Sequence, residues 1–539
     1  MPISHTRRHF FNATLAVATA SSFGRAYGAG QGAPFQHGVA SGDPLQDRVI
    51  LWTRVTTPNP EAEVRWTVAR DPGLRRVVAS GRTRTDGSRD FTVKVDVDRL
   101  DPGHTYYYQF AALGARSPVG RTRTLPQGRV DAARLALVSC SNLPYGLFNV
   151  YALIARRADL DCVLHLGDYI YEHANGSYGD GTALGRVPTP DKEIVTLADY
   201  RQRHAQYKTD ADLQAAHRQH PFICVWDDHE LANDAWKDGA QNHNPELGEG
   251  DFALRKQAAI RAYFEWMPIR EFAAREDVRI YRQFRFGDLA DLIMLDTRLH
   301  GRSQQSPVKP LGSTWTYPAN DPVVNDPRRT LLGFDQEAWL AGQLSASQAR
   351  GATWRLLGQQ VMMAPLSRDH GQTLSSVDQW GGYRASRDRL YDTIRGRQVD
   401  NVVVMTGDIH SSWANELTWD PWDPARYNPQ TGKGVIGVEF VTPAVSSPGA
   451  ADPLEAAQRA ATYRVLSPHM KYVELHERGY VLLDINAERV QGEFWHVATV
   501  ASVSREQVMA NALVNVAGDN RLQPVGSVTG ARVAADPAP

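Results

Sequence analysis

The 539-residue sequence predicts an α/β protein: a large two-sheet domain with flanking helices over 133–500, preceded by a β-sandwich domain over 34–126. Three observations predict it. A chain this long is expected to hold more than one domain. Residues 34–126 carry short alternating runs at regular spacing, set off by turn residues, the pattern of a sandwich of half-buried strands. After Pro126 the pattern changes to compact runs that are apolar on both faces, as in a sheet covered by helices.

Taken in order, the first thirty residues stand apart. Thr6-Arg7-Arg8-His9-Phe10-Phe11 precedes an Ala-rich, mildly apolar stretch and then small residues. Residues 1–30 resemble a twin-arginine export signal. That implies the twin-arginine machinery as a partner and a periplasmic or extracellular location. In 34–126 the strands are RVILWTRV, AEVRWTVAR, RRVVASGRT, FTVKVDV and TYYYQFAAL, with turns at Asp71-Pro72-Gly73, Asp86-Gly87 and Asp101-Pro102-Gly103. Leu100-Asp101-Pro102-Gly103-His104-Thr105-Tyr106 resembles the tyrosine corner of fibronectin type III domains, so the Tyr stripe reads as core.

The large domain is announced by LALVSC (135–140), CVLHLGD (162–168), FICVWDD (222–228), DLIMLDTR (291–298), WRLLGQQ (354–360) and NVVVMTGDIH (401–410). Helix-like stretches lie at 149–157 and 254–266, and late strands at 435–442, 471–477 and 479–485. The intervals 171–221 and 299–350 are polar and read as long loops; 171–221 and the segment after Pro448 are expected to rim the site. The tail 501–539 shows little periodicity beyond one possible short helix. Net charge is −1, with 42% hydrophobic and 22% charged residues, which excludes an overall basic nucleic-acid surface and an acidic disordered chain. No apolar run approaches a membrane span. Three cysteines give no disulfide framework, and Cys162 and Cys224 read as small core residues.

Four apolar runs deliver titratable or metal-capable side chains at their carboxyl ends: Cys140; Asp168 and Tyr171; Asp227, Asp228 and His229; Asp408 and His410. In α/β sheets ligands collect at that edge. Each residue alone has an ordinary reading: a turn aspartate, a packed tyrosine, a small buried cysteine. Coincidence at four strand ends points instead to a shared site. Packed carboxylates repel unless a polyvalent cation neutralises them. Oxygen ligands suit hard cations, and a thiolate with imidazole suits a transition metal. More than one metal is expected, with Asp168 placed to bridge.

Gly167-Asp168-x-x-Tyr171, Asp227-Asp228-His229-Glu230 and Gly407-Asp408-Ile409-His410 resemble the motif series of the calcineurin-like metallophosphoesterases, and more narrowly the PhoD-type alkaline phosphatases. The resemblance covers nearly the whole chain after the signal, including HGVASGDPLQDRVILWTRV (37–55). It implies the two-sheet metallophosphoesterase sandwich, ferric iron and two calcium ions. It places Cys140, Asp168, Tyr171, Asp228, Asp408 and His410 at metal-binding positions, His229 as the phosphate-contacting catalytic histidine, and Asn142 at a further ligand position of the wider superfamily. Trp380-Gly381-Gly382-Tyr383 lacks the acid that relatives often carry after the Trp.

The function so implied is an exported phosphatase that hydrolyses phosphate mono- and diesters with metal-activated water. Arg298, Arg384 and Arg478 are candidate phosphate clamps, each also readable as an ordinary ion-paired arginine. The alternatives are a secreted phospholipase D of the same fold and a non-catalytic cell-envelope binding protein.

Overall fold

The computed structural model describes residues 34–271, 279–306 and 316–539. The export signal read at 1–30 lies outside them.

Two large sheets face each other. The ten-stranded sheet runs Leu522–Pro524, Gln507–Val516, Arg489–Val497, Gly479–Asn486, Ala132–Val138, Cys162–His165, Pro221–Cys224, Val39–Gly42, Val49–Arg54, Thr92–Val97. The seven-stranded sheet runs Arg282–Phe286, Ala290–Met294, Trp354–Gly358, Val402–Thr406, Gly437–Val441, Ser412–Leu417, Met470–Glu474. The strands that reach the site are parallel to their neighbours at the centre of each sheet. Their carboxyl ends therefore share one edge.

The doubly apolar runs follow from layering. In Val402–Thr406 the side chains alternate: Val403 and Met405 join Leu135, Leu164 and Phe440 between the sheets, while Val402 and Val404 turn to an outer core with Leu340, Leu344, Tyr391 and Ile394. That outer core is closed by the helices Phe334–Arg350 and Arg384–Gly396. On the other side lie Asn149–Ala155, Leu197–Lys208, Ala211–Gln219 and Phe252–Trp266. Leu197–Lys208 starts on a capping box, Thr196 with Asp199, and Ala211–Gln219 and Phe252–Trp266 start on Asp210 and Asp251.

Three segments differ from the sequence reading. The amino-terminal sandwich has its own core, with Val64, Val68, Tyr108 and Phe110 against Leu51, Val93 and Val97. Yet one of its two sheets is the end of the ten-stranded sheet, because Val39–Gly42 pairs in parallel with Pro221–Cys224, Ser41 opposite Pro221 and Gly42 opposite Phe222. Gly42 permits this: a Cβ there would lie 2.2 Å from the Pro268 carbonyl oxygen and 2.6 Å from that of Phe222. The intervals read as loops contain Leu197–Lys208, Ala211–Gln219 and Phe334–Arg350. The tail holds strands Gln507–Val516 and Leu522–Pro524 rather than a helix, and Ala538 ends buried beside Gln219.

Candidate metal centre and catalytic cleft

Each strand end turns sharply as it leaves its sheet. Cys140, Asp168, Asp408 and His410 all take left-handed backbone conformations, φ 61°, 56°, 66° and 55°. Residues other than Gly seldom take that region, Asn, Asp and His more often than most, and its cost is met where surrounding structure enforces it. Glu230 supplies part of the enforcement. Its carboxylate accepts from the backbone N–H of Asp168 (3.1 Å), Tyr169 (2.5 Å) and Asp227 (2.7 Å), binding two turns together. Burial nevertheless pushes its acid range up, to about 7.

The turns bring the sequence candidates together. Ligand-capable atoms of Cys140, Asp168 and His410 lie within 4.8 Å of one another; so do those of Asp168, Asp228 and His229, and those of Asp227, Asp228 and Asp408. Asp168 and Asp228 each belong to two groups, so the clusters are contiguous. The Tyr171 hydroxyl donates to Asp168 Oδ2 at 3.0 Å, lies 3.3 Å from His410 Nε2, and accepts from Ser447 Oγ at 2.7 Å. Asn142 is turned aside, its Nδ2 donating to the Tyr178 carbonyl at 2.9 Å, while its buried Oδ1 has no hydrogen-bond partner.

The electrostatics are those of a site short of positive charge. Burial, followed by Asp168, drives the Cys140 thiol well above its ordinary range. Burial also raises Asp168, Asp227 and Asp408, and Tyr171 is raised by burial and then by Asp168. Asp227 Oδ2 and Asp228 Oδ1 are buried without a hydrogen bond. A thiol, a phenol, imidazoles and four carboxylates gathered this way fit cations of both soft and hard character.

Arg298 is the main internal counter-charge. It is fully buried and bonds Asp227 through Nε, Asp378 at 2.8 Å through Nη1 and Asp408 at 2.7 Å through Nη2, with Asp228 3.4 Å away. The reading of Arg298 as a phosphate clamp is thus corrected: all its donors are committed to carboxylates. Arg384 lines a separate 200 Å³ cavity, and Arg478 bonds the Ser447 and His476 carbonyls.

His229 is held by Glu172, whose Oε2 lies 2.7 Å from Nδ1. Glu172 also accepts from Asn233 N–H at 2.8 Å and Asn242 Nδ2 at 3.1 Å. Burial would lower the His229 range, but Glu172, then Asp228 and Asp168, outweigh it and hold the imidazole well above its usual value. With Nδ1 engaged, Nε2 is the nitrogen left for chemistry.

Above these groups opens a cavity of about 580 Å³. Its wall comes from His173, Tyr178, Asn233, Asp234, Trp236, Gln241, 304–306, 316–317 and 376–379. Only His173 and Tyr178 come from the interval expected to rim it, and no described residue after Pro448 lines it. Sequence reasoning missed Glu172, Asp234 and Asp378, and named Glu230 only as the end of the motif Asp227-Asp228-His229-Glu230. Glu172 directly follows Tyr171, and Asp378 stands two residues before Trp380. At Gly381, where the acid is lacking, a Cβ would meet the Tyr317 hydroxyl at 2.9 Å.

Comparison with known proteins agrees with this architecture. The family model described as "PhoD-like phosphatase" matches residues 135–494, and that of its N-terminal domain matches 19–126. Alkaline phosphatase D of Bacillus subtilis (strain 168) is 37% identical over 479 residues, covering 86% of this chain and 77% of that protein. A solved structure titled "Structure of PhoD" superposes with a TM-score of 0.82 at 34% identity, covering 94% of each chain. The chain belongs to the PhoD-like phosphatase family and is a phosphoric ester hydrolase.

Proposed function

We propose that the protein is an exported, metal-dependent phosphatase acting on phosphate mono- and diesters. The observation that carries this is the contiguous donor set running from Cys140 through Asp168 to Asp228 and Asp408 at the floor of an open cavity. Cys140, Asp168, Tyr171 and His410 would hold ferric iron, and Asp168, Asp228 and Asp408 would hold calcium. The ions supply Lewis-acid charge that acidifies water and neutralises the phosphoryl oxygens. His229 stands at the edge of this floor. Glu172 fixes its tautomer, so a proton carried on Nε2 can pass to the leaving alkoxide. Ser447, donating to Tyr171 Oη at 2.7 Å, aims the phenol at Asp168 and His410. Export rests on the Arg7-Arg8 signal and gives a periplasmic or extracellular location; replacing both arginines with lysine should leave precursor in the cytoplasm.

The test is a pair of variants in natively exported protein. Tyr171→Phe keeps the ring, and Cys140→Ser keeps the size. If both residues bind iron, each variant stays folded while losing visible colour, iron content and most turnover. Full iron occupancy and wild-type turnover in both would defeat the assignment.

A further inference from the structure

The cavity above the metal floor is lined by carboxylates, amides, imidazoles and aromatic rings. Among the described residues lining it there is no lysine and no arginine. Arg298 and Arg302 lie beneath it, both buried, and both are committed to Asp378. Asp378 is therefore compensated. Asp234 is not: its backbone N–H donates to Asp228 Oδ2 at 2.6 Å and its carbonyl accepts from Gln305, but its carboxylate has no ion-pair partner among the described residues. Trp236, Tyr317 and Tyr178 face the same space.

A carboxylate with no ion-pair partner among the described residues, set among aromatic faces, is the chemistry that recognises an ammonium group. The carboxylate gives a charge-assisted hydrogen bond, and the rings offer their negative faces. An anionic substituent reaching the same place would meet the repulsion of Asp234.

We propose that this wall is a leaving-group subsite for amine-bearing alcohols, with Asp234 as the residue that sets the preference. The proposal rests on the phosphatase reading and refines it: phosphate sits on the metal floor, and the departing alcohol carries its ammonium toward Asp234. The reaction stays hydrolytic. Water's oxygen bonds to phosphorus, the P–O bond to the alcohol breaks, and the alkoxide takes a proton. The amine takes no part in bond making.

The test is a charge series on the metal-replete full chain at pH 9. Phosphoethanolamine, glycerol 3-phosphate and 3-phosphoglycerate are similar in size and carry cationic, neutral and anionic alcohol parts. The expected order of kcat/KM is cationic, neutral, anionic, each step about tenfold at low salt and smaller at high salt. Asp234→Asn, which keeps the shape, should reduce the cationic-to-anionic ratio at least about tenfold, whatever happens to absolute rates. A flat or reversed series in the wild type, with p-nitrophenyl phosphate still turned over, overturns the subsite and leaves the phosphatase reading standing. An unchanged ratio in Asp234→Asn overturns the role of that residue. No turnover of any ester overturns both readings.

Discussion

At the scale of single residues, the sequence exposed the groups that end strands but hid the groups that hold them. Asp168, Asp408 and His410 were legible because each follows an apolar run. Glu172 was not, and Arg298 was legible only as a candidate clamp, because their importance lies in contacts 57 and up to 110 positions away, with His229 and Asp408. Two predictions belong here. Glu172 raises the His229 range, so Glu172→Gln should lower it. A general acid works while protonated, so the alkaline limb of kcat/KM should move to lower pH, with kcat down about tenfold to a hundredfold, less than the ~10²–10⁴ of general acid catalysis itself. An unmoved limb would reduce Glu172 to packing. The second concerns the carboxyls. Burial raises Asp168, Asp227 and Asp408, and raises Asp234 to about 8. In unfolded chains such groups titrate near 4. Without cations the folded state therefore binds more protons than the unfolded one between about pH 4 and 8, and stability falls as pH rises through that window. Chelated protein should lose several degrees of melting temperature from pH 5 to pH 8, and cation-replete protein should lose much less. Identical slopes would mean that bound ions do not compensate these carboxyls.

At the scale of elements, the apolar central strands were legible because layering makes them apolar on both faces. The helix Leu197–Lys208 was not. It buries Tyr200, Arg203, His204, Tyr207 and Lys208, so its inward stripe is polar and aromatic and mimics a loop. The turns that end the strands were visible only as Gly-Asp pairs, although they carry the geometry. Gly167 has φ +108°, and a Cβ there would fall 2.4 Å from Asp227 Cβ and 2.7 Å from Asp227 N. The Gly167 and Asp227 turns are thus in direct backbone contact, which keeps Asp168 and Asp228 in one cluster. Gly167→Ala should cost about 1–3 kcal/mol in backbone strain, with overpacking added. Calorimetry should show a lower melting temperature, and cation affinity should fall with it as the turns separate. Wild-type affinity and melting temperature would show that the contact can relax without consequence.

At the scale of the whole molecule, the sequence divided the chain into units that the fold joins. Pairing between Val39–Gly42 and Pro221–Cys224 runs the amino-terminal strands into the central sheet. The carboxyl-terminal segment then ties the far sides together. Arg134, almost wholly buried in a central strand, donates to Thr529 Oγ1 at 3.1 Å and the Gly530 carbonyl at 2.8 Å. Tyr107 of the amino-terminal sheet donates to the Asp536 carbonyl at 2.5 Å, and Gln219 exchanges two hydrogen bonds with Ala538. A strap with such anchors, and with no residue among those lining the cavity, acts on stability rather than on access. Removing residues 526–539 deletes these bonds, each worth about 1 kcal/mol net, and leaves Arg134 with Asp484 and Asp159 as its remaining partners. Its guanidinium then loses two acceptors at a buried position, which costs more than losing a bond at the surface. The truncated protein should therefore melt several degrees lower, with kcat and KM unchanged toward small monoesters and bulky diesters alike. A rise in turnover of bulky diesters alone would show the opposite: that the strap restricts the cleft, and that its anchors hold a lid rather than a seam.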